Sequence, residues 1–147
     1  MRRRLALLAA LAVTAAAFPA SAGADSRVVP FDTGDLATKS DENLVIYLTT
    51  GKIKAKNPIS WAAGCPVACS YSASTELKLK GPDLGPVTSS GQLPAFNALE
   101  SIFKLNKTAR SSLKDNIGAA KLVTSFTGTD LVTGVVDTDE VTFKFKK

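Results

Sequence analysis

The sequence predicts an all-β protein, an antiparallel sandwich of about seven strands with one short bridging helix. Three observations carry that expectation. From Leu44 onward, segment after segment alternates apolar and polar residues with a period of two, as in strands with one face buried and one wet. Gly, Pro and Asn punctuate these segments at fairly even spacing. One stretch, Asn106 to Lys114, breaks the alternation: Ala109 and Leu113 lie four apart behind Asn106, a good N-cap, and read as a helix of about two turns.

The N-terminus is set apart from the fold. Arg2, Arg3 and Arg4 precede an apolar and small-residue run from Leu5 to Phe18, and Pro19 ends it. Small residues at −3 and −1 then suit cleavage after Ala22 or Ala24, so residues 1–24 are expected to be a secretory signal peptide. The run is 14 residues long, short of the roughly 20 that a membrane span needs. The arginines match a twin-arginine signal only weakly, which favours general secretion. No Cys follows the run to take a lipid, and Phe143 to Lys147 form no hydrophobic tail, so a secreted product without stable membrane insertion is expected. Cleavage removes three arginines and leaves 15 basic against 13 acidic residues. So small an excess is no footprint for nucleic acid, and none is expected as a partner.

Residues 25–42 are polar and read as a flexible arm, with Arg27 to Val29 as a short edge strand; the domain proper is expected over 43–147. Leu44 to Thr50 is β-branched and aromatic and ends at Gly51. Lys52 to Lys56 alternates with Ile53 and Ala55 inward, and Ile59, Trp61, Ala63 and Cys65 share one parity. The longest alternation follows, with Cys69, Tyr71, Ala73, Thr75, Leu77 and Leu79 facing one way. Gly81 to Phe96 is the least regular stretch, rich in Gly, Pro and Ser; it reads as a long loop with room for a short strand at Pro86 to Thr88. Asn97 to Leu105, Lys121 to Thr127 and Glu140 to Lys146 complete the strands, with Gly128 to Gly134 as a turn. The expected core is Ile53, Trp61, Tyr71, Leu77, Phe103, Leu122, Phe126, Phe143 and Phe145. Each such side chain contributes roughly 1.5–3 kcal/mol on burial, before entropy is subtracted.

Three segments together resemble a known module. Cys65 and Cys69 sit just ahead of an alternating strand, Phe103 to Leu113 carries a Leu-x-Lys-x-Ala-Arg-x-x-Leu pattern, and Val141 to Phe145 closes the chain as an alternating strand. The pattern is similar to that of an immunoglobulin-like β-sandwich module found in secreted and surface proteins of high-GC Gram-positive bacteria. It covers about Leu44 to Lys147; the long loop at Gly81–Phe96 and the segment Leu131–Val136 depart from it. The resemblance implies an immunoglobulin-like sandwich that acts as a spacer, adhesive or binding module and has no catalytic residues.

The inventory of reactive groups is thin. Two cysteines in an exported chain point to a structural disulfide, Cys65–Cys69, across a tight hairpin. The chain has no His. That excludes Ser-His-Asp and Cys-His catalysis and a His-completed zinc site, and neither a cofactor nor a metal is expected. The acidic run Asp137, Asp139 and Glu140 reads as a solvated turn, with calcium as the sharper alternative. Ser111 and Lys114 match S-x-x-K without the accompanying motifs, and Asn106 to Thr108 is a glycosylation sequon by pattern only. Lys52, Lys54, Lys56, Lys78, Lys80, Lys144, Lys146 and Lys147 all fall on outward parities. They read as solubilising groups, or as a basic sheet face for anionic polymer or lipid. The long loop, through Leu84, Val87, Leu93 and Phe96, is the expected binding surface.

The expected function is therefore a secreted, non-enzymatic binding or structural module, with cell-wall polymer or another secreted protein as candidate partner. A carrier of small hydrophobic ligands would need an open cleft near Trp61 or Phe96. An extracellular protease inhibitor would need a rigid exposed loop.

Overall fold

The computed structural model describes residues 22–32, 44–56, 58–81 and 83–147. Most of the segment assigned to the signal peptide, residues 33–42 of the arm and residue 43 of the expected domain lie outside the described residues. Among the described residues nine strands and one helix follow in chain order: β1 Ala22–Pro30, β2 Ile46–Tyr47, β3 Ile53–Lys54, β4 Ile59–Cys65, β5 Cys69–Lys78, β6 Asp83–Leu93, β7 Asn97–Leu105, α1 Lys107–Asp115, β8 Lys121–Asp130 and β9 Val136–Lys146. They build two sheets, ordered β1-β7-β4-β2 and β3-β9-β8-β5-β6. The all-β sandwich is thus the observed architecture. Among the described residues no helix is long and apolar enough to cross a membrane.

Eight of the nine expected core residues are buried between the sheets, and Tyr71 is half-buried against them. Period-two alternation survives in the burial of β4, β5, β7 and β8, because each places one side toward the opposite sheet. An aromatic group fills the middle: the ring of Tyr47 lies 5.9 Å from Trp61 and 6.2 Å from Phe143, and Tyr71 stacks on Phe126 at 5.7 Å. Tyr47 also carries a polar bridge between sheets. Its hydroxyl faces the carbonyls of Thr124 and Asp139 at 3.3 and 3.1 Å and accepts from Thr124 Oγ1 at 3.2 Å.

Several expectations are corrected. The strand expected over Leu44–Thr50 shrinks to β2, and the one over Lys52–Lys56 to β3, which belongs to the other sheet. The chain changes sheet at Gly51, whose φ of 71° suits glycine. One pairing is parallel, β3 with β9 (Ile53 opposite Phe145), so the sandwich is not purely antiparallel. The N-terminal arm is not loose throughout: β1 pairs with β7 over its full length, from Ala22 opposite Leu105 to Pro30 opposite Asn97. Cleavage after Ala22 would remove one residue of this strand and cleavage after Ala24 three.

Gly81–Phe96 is no loop. Asp83–Leu93 runs beside β5 as the edge of the five-stranded sheet. Its Pro and Gly are tolerated because the other side of an edge strand has no ladder to complete. Gly91 lies opposite Tyr71, where an added Cβ would meet the ring at 3.2 Å. The β8–β9 hairpin is also longer than expected, with its turn at residues 131–134. Asp130 Oδ1 accepts the backbone N–H groups of Val132 and Thr133 there at 2.7 and 3.2 Å, and these bonds hold its carboxyl below the usual range.

The helix matches its expected limits. Asn106 Oδ1 accepts from Ala109 N at 2.8 Å, and Ala109 and Leu113 are buried.

Candidate functional site

The disulfide links Cys65 to Cys69 with Cα atoms 6.3 Å apart, both fully buried. Its setting differs from the expected hairpin. β4 ends at Cys65 in one sheet and β5 begins at Cys69 in the other, so the bond ties the two sheets together at one end. Gly128 makes room for it: a Cβ there would stand 3.0 Å from Cys65 Sγ and 3.3 Å from Val45 Cγ2.

The four residues expected to form a binding loop are not gathered into one surface. Leu84 and Leu93 are buried, and Val87 packs against the core from β6. Phe96 stays 41% exposed in the β6–β7 turn at φ 55°, its ring 6.1 Å from Phe31. Trp61 is 1% exposed, closed off from the surface within the core cluster.

The acidic run is also not a turn. Asp137, Asp139 and Glu140 lie within β9, where alternation turns Glu140 to the face opposite the two aspartates. Asp137 Oδ2 is committed to Val45 N at 3.0 Å. Among the described residues no three His, Cys, Asp or Glu groups converge to hold a metal ion. Ser111 hydrogen-bonds Asp115 at 3.3 Å across one turn of α1, on its wet side.

The lysines are brought together by strand register. In the five-stranded sheet Lys78 of β5 lies directly opposite Lys121 of β8, and Lys121 directly opposite Lys144 of β9. Two residues further along β9, Lys146 lies beside Lys54 of β3. Neighbouring strands are about 4.8 Å apart and alternate residues along a strand about 6.7 Å. Three ammonium groups therefore stand in one row across the sheet, with two more at its side, all exposed on the outer face. Among the described residues only Lys78 of this group has a carboxylate within ion-pair distance, Glu76 at 3.5 Å. Asp83 stands opposite Lys78 on β6.

Two shallow depressions, each about 260 Å³, flank the row. One is lined by Thr49, Lys54, Lys56 and Ser60, the other by Glu76, Lys78 and Asp83. α1 joins β7 to Lys121 at the same end of the sandwich and adds the exposed cations Lys107, Arg110 and Lys114. The opposite half of β9 carries Asp137, Asp139 and Glu140. A small net charge thus conceals a segregated one. The sequence pointed to outward lysines but missed Lys121, the centre of the row, because its partners are set by pairings with residues 43 and 23 positions away.

No protein-family model and no curated protein matches this sequence. Among solved structures, a FixG-related protein from Vibrio parahaemolyticus is similar over 86% of this chain and 98% of that one, at 12% identity and a TM-score of 0.28. A likeness so slight bears on neither fold identity nor function.

Proposed function

We propose that this chain is a secreted, non-catalytic binding module with an immunoglobulin-like sandwich, which meets its partner with the outside of its sheets. One observation carries the reading. The space between the sheets is filled by Tyr47, Trp61, Phe103, Phe126 and Phe143, each no more than 4% exposed. A carrier of small apolar molecules needs that space open, on the order of 300–1,000 Å³. The immunoglobulin-like assignment is supported by the strand order. β4 beside β7 and β5-β8-β9 side by side correspond to the B–E and C–F–G pairings of such domains. Export is supported by the charged, apolar and small-residue layout of residues 1–24 and by the buried disulfide.

The test is direct. Protein purified from a secreting host is extracted with organic solvent and then titrated with an apolar fluorescent dye. A module that binds with its surface releases no stoichiometric small molecule and shows no saturable dye site. One tightly held apolar molecule per chain would replace this reading with the carrier. Sequencing of the secreted product should give Gly23 or Asp25 as its first residue, and a product that retains residues 1–22 would contradict export by cleavage.

A further inference from the structure

Resting on that reading, we propose that the lysine end of the five-stranded sheet binds a linear phosphate-bearing polyanion, laid across the strands along Lys78, Lys121 and Lys144 and on to Lys146 and Lys54. The register is the first argument. Like charges directly opposite on neighbouring strands destabilise a sheet, and this chain sets two such pairs side by side. Departures from local stability rules concentrate at functional sites. An anionic strand laid over the row removes the repulsion and gains from it, because each neutralised phosphate also releases its condensed counterions.

The rest of the face decides what kind of anion fits. Beside the row, the next outward residues of β5, β8 and β9 are Glu76, Val123 and Thr142, and beyond them Ser74, Ser125 and Glu140, so the cationic strip is one strand-step wide; no aromatic residue stands on the outer parity of these strands. Single-stranded nucleic acid is held by aromatic stacking as well as charge. Binding to a bilayer surface gains from buried apolar area besides attraction to headgroups. A linear phosphate polymer needs only spaced cations and hydroxyl donors, which this face and the adjoining depression with Thr49 and Ser60 supply. The row crosses the strands at about 4.8 Å per step, so an extended anionic polymer laid across them meets one lysine on each strand.

The experiment uses the mature chain and long-chain inorganic polyphosphate, with calorimetric titration from about 50 to about 200 mM salt. A variant with Lys121→Gln, Lys144→Gln and Lys146→Gln is run beside it, and its thermal melt verifies folding. Five contacts predict a log–log salt slope of about −3.5 for the natural chain, shallower by about 2 in the variant, with about tenfold or more loss of affinity at low salt. Undiminished binding by the folded variant would overturn the placement. No binding by the natural chain at about 50 mM salt would overturn the inference while leaving the module reading intact. Tighter binding to vesicles of anionic phospholipid than to polyphosphate at equal phosphate would overturn it in favour of a bilayer. Saturable binding of an apolar dye would instead refute the module reading itself, so the two failures are told apart.

Discussion

Replacing Tyr47 with Phe tests how the two sheets are joined, and its cost at neutral pH should disappear at high pH. The ring stays in the aromatic cluster with Trp61 and Phe143, so only the hydroxyl and its contacts to Thr124 and Asp139 are lost. At pH 7 the loss should cost about 1 kcal/mol, the usual net worth of a buried hydrogen bond. Burial pushes the Tyr47 hydroxyl up to about 12 from its ordinary value of 10.0, against a smaller opposing effect of its hydrogen bond with Thr124. A phenol with a raised folded pKa contributes stability that is fully present below the unfolded pKa. That stability is lost as pH rises from about 10 toward 12, because the unfolded chain ionises first. By pH 11 this loss is on the order of 1 kcal/mol, even after residual solvent screening is allowed for. Tyr47→Phe lacks this alkaline loss. Urea denaturation at pH 7 and pH 11 should therefore show the natural chain more stable at the lower pH and the two chains equal, or the variant ahead, at the higher. A gap that is the same at both pH values would refute the buried, bridging hydroxyl.

Three further outcomes follow from packing and charge. Gly64→Ala should destabilise the fold by about 1–3 kcal/mol in chemical denaturation, since its Cβ would press into Asn97 O and lie 2.7 Å from Ala98 Cα, so β4 and β7 must part; an unchanged midpoint would contradict that close approach. Replacing Cys65 and Cys69 together by Ala should cost about 2 kcal/mol from the small ring, plus lost packing at the sheet junction; a Tm equal to that of the natural chain would show that the inter-sheet tie is idle. Lys121→Glu turns two repulsive cross-strand pairs into attractive ones and should stabilise the sheet by about 0.2–1 kcal/mol while weakening polyphosphate binding; a loss of stability would mean that the row is not strained.

What the sequence revealed, and what it hid, divides by range. The alternation from Cys69 to Leu79, the inward parity of Trp61, Phe103, Leu122 and Phe143, and the Asn106 cap are local patterns, and all are present in the fold. β6 was hidden because Gly85, Pro86 and Gly91 are loop residues everywhere except on an edge strand. Asp137 to Glu140 looked like a turn because acidic residues favour turns, whereas the hairpin is closed by Asp130 seven residues earlier. The spacing of Cys65 and Cys69 fitted a hairpin or an arch between sheets equally well, and only the sheet assignment of β4 and β5 separates them. The lysine row was half legible. Parity turned each lysine outward, but the register that aligns Lys78, Lys121 and Lys144 is a long-range property that no local spacing encodes.

The most direct test of the proposed polyanion face is a residue-by-residue one. Backbone amide shifts of the isotopically labelled chain, residues 25–147, are followed by NMR as polyphosphate is added. The account predicts that the largest changes gather on β3, the end of β5, the start of β8 and the end of β9, around Lys54, Lys78, Lys121, Lys144 and Lys146. Changes centred instead on the β8–β9 turn near Leu131 and Val132, or spread evenly over the surface, would contradict it.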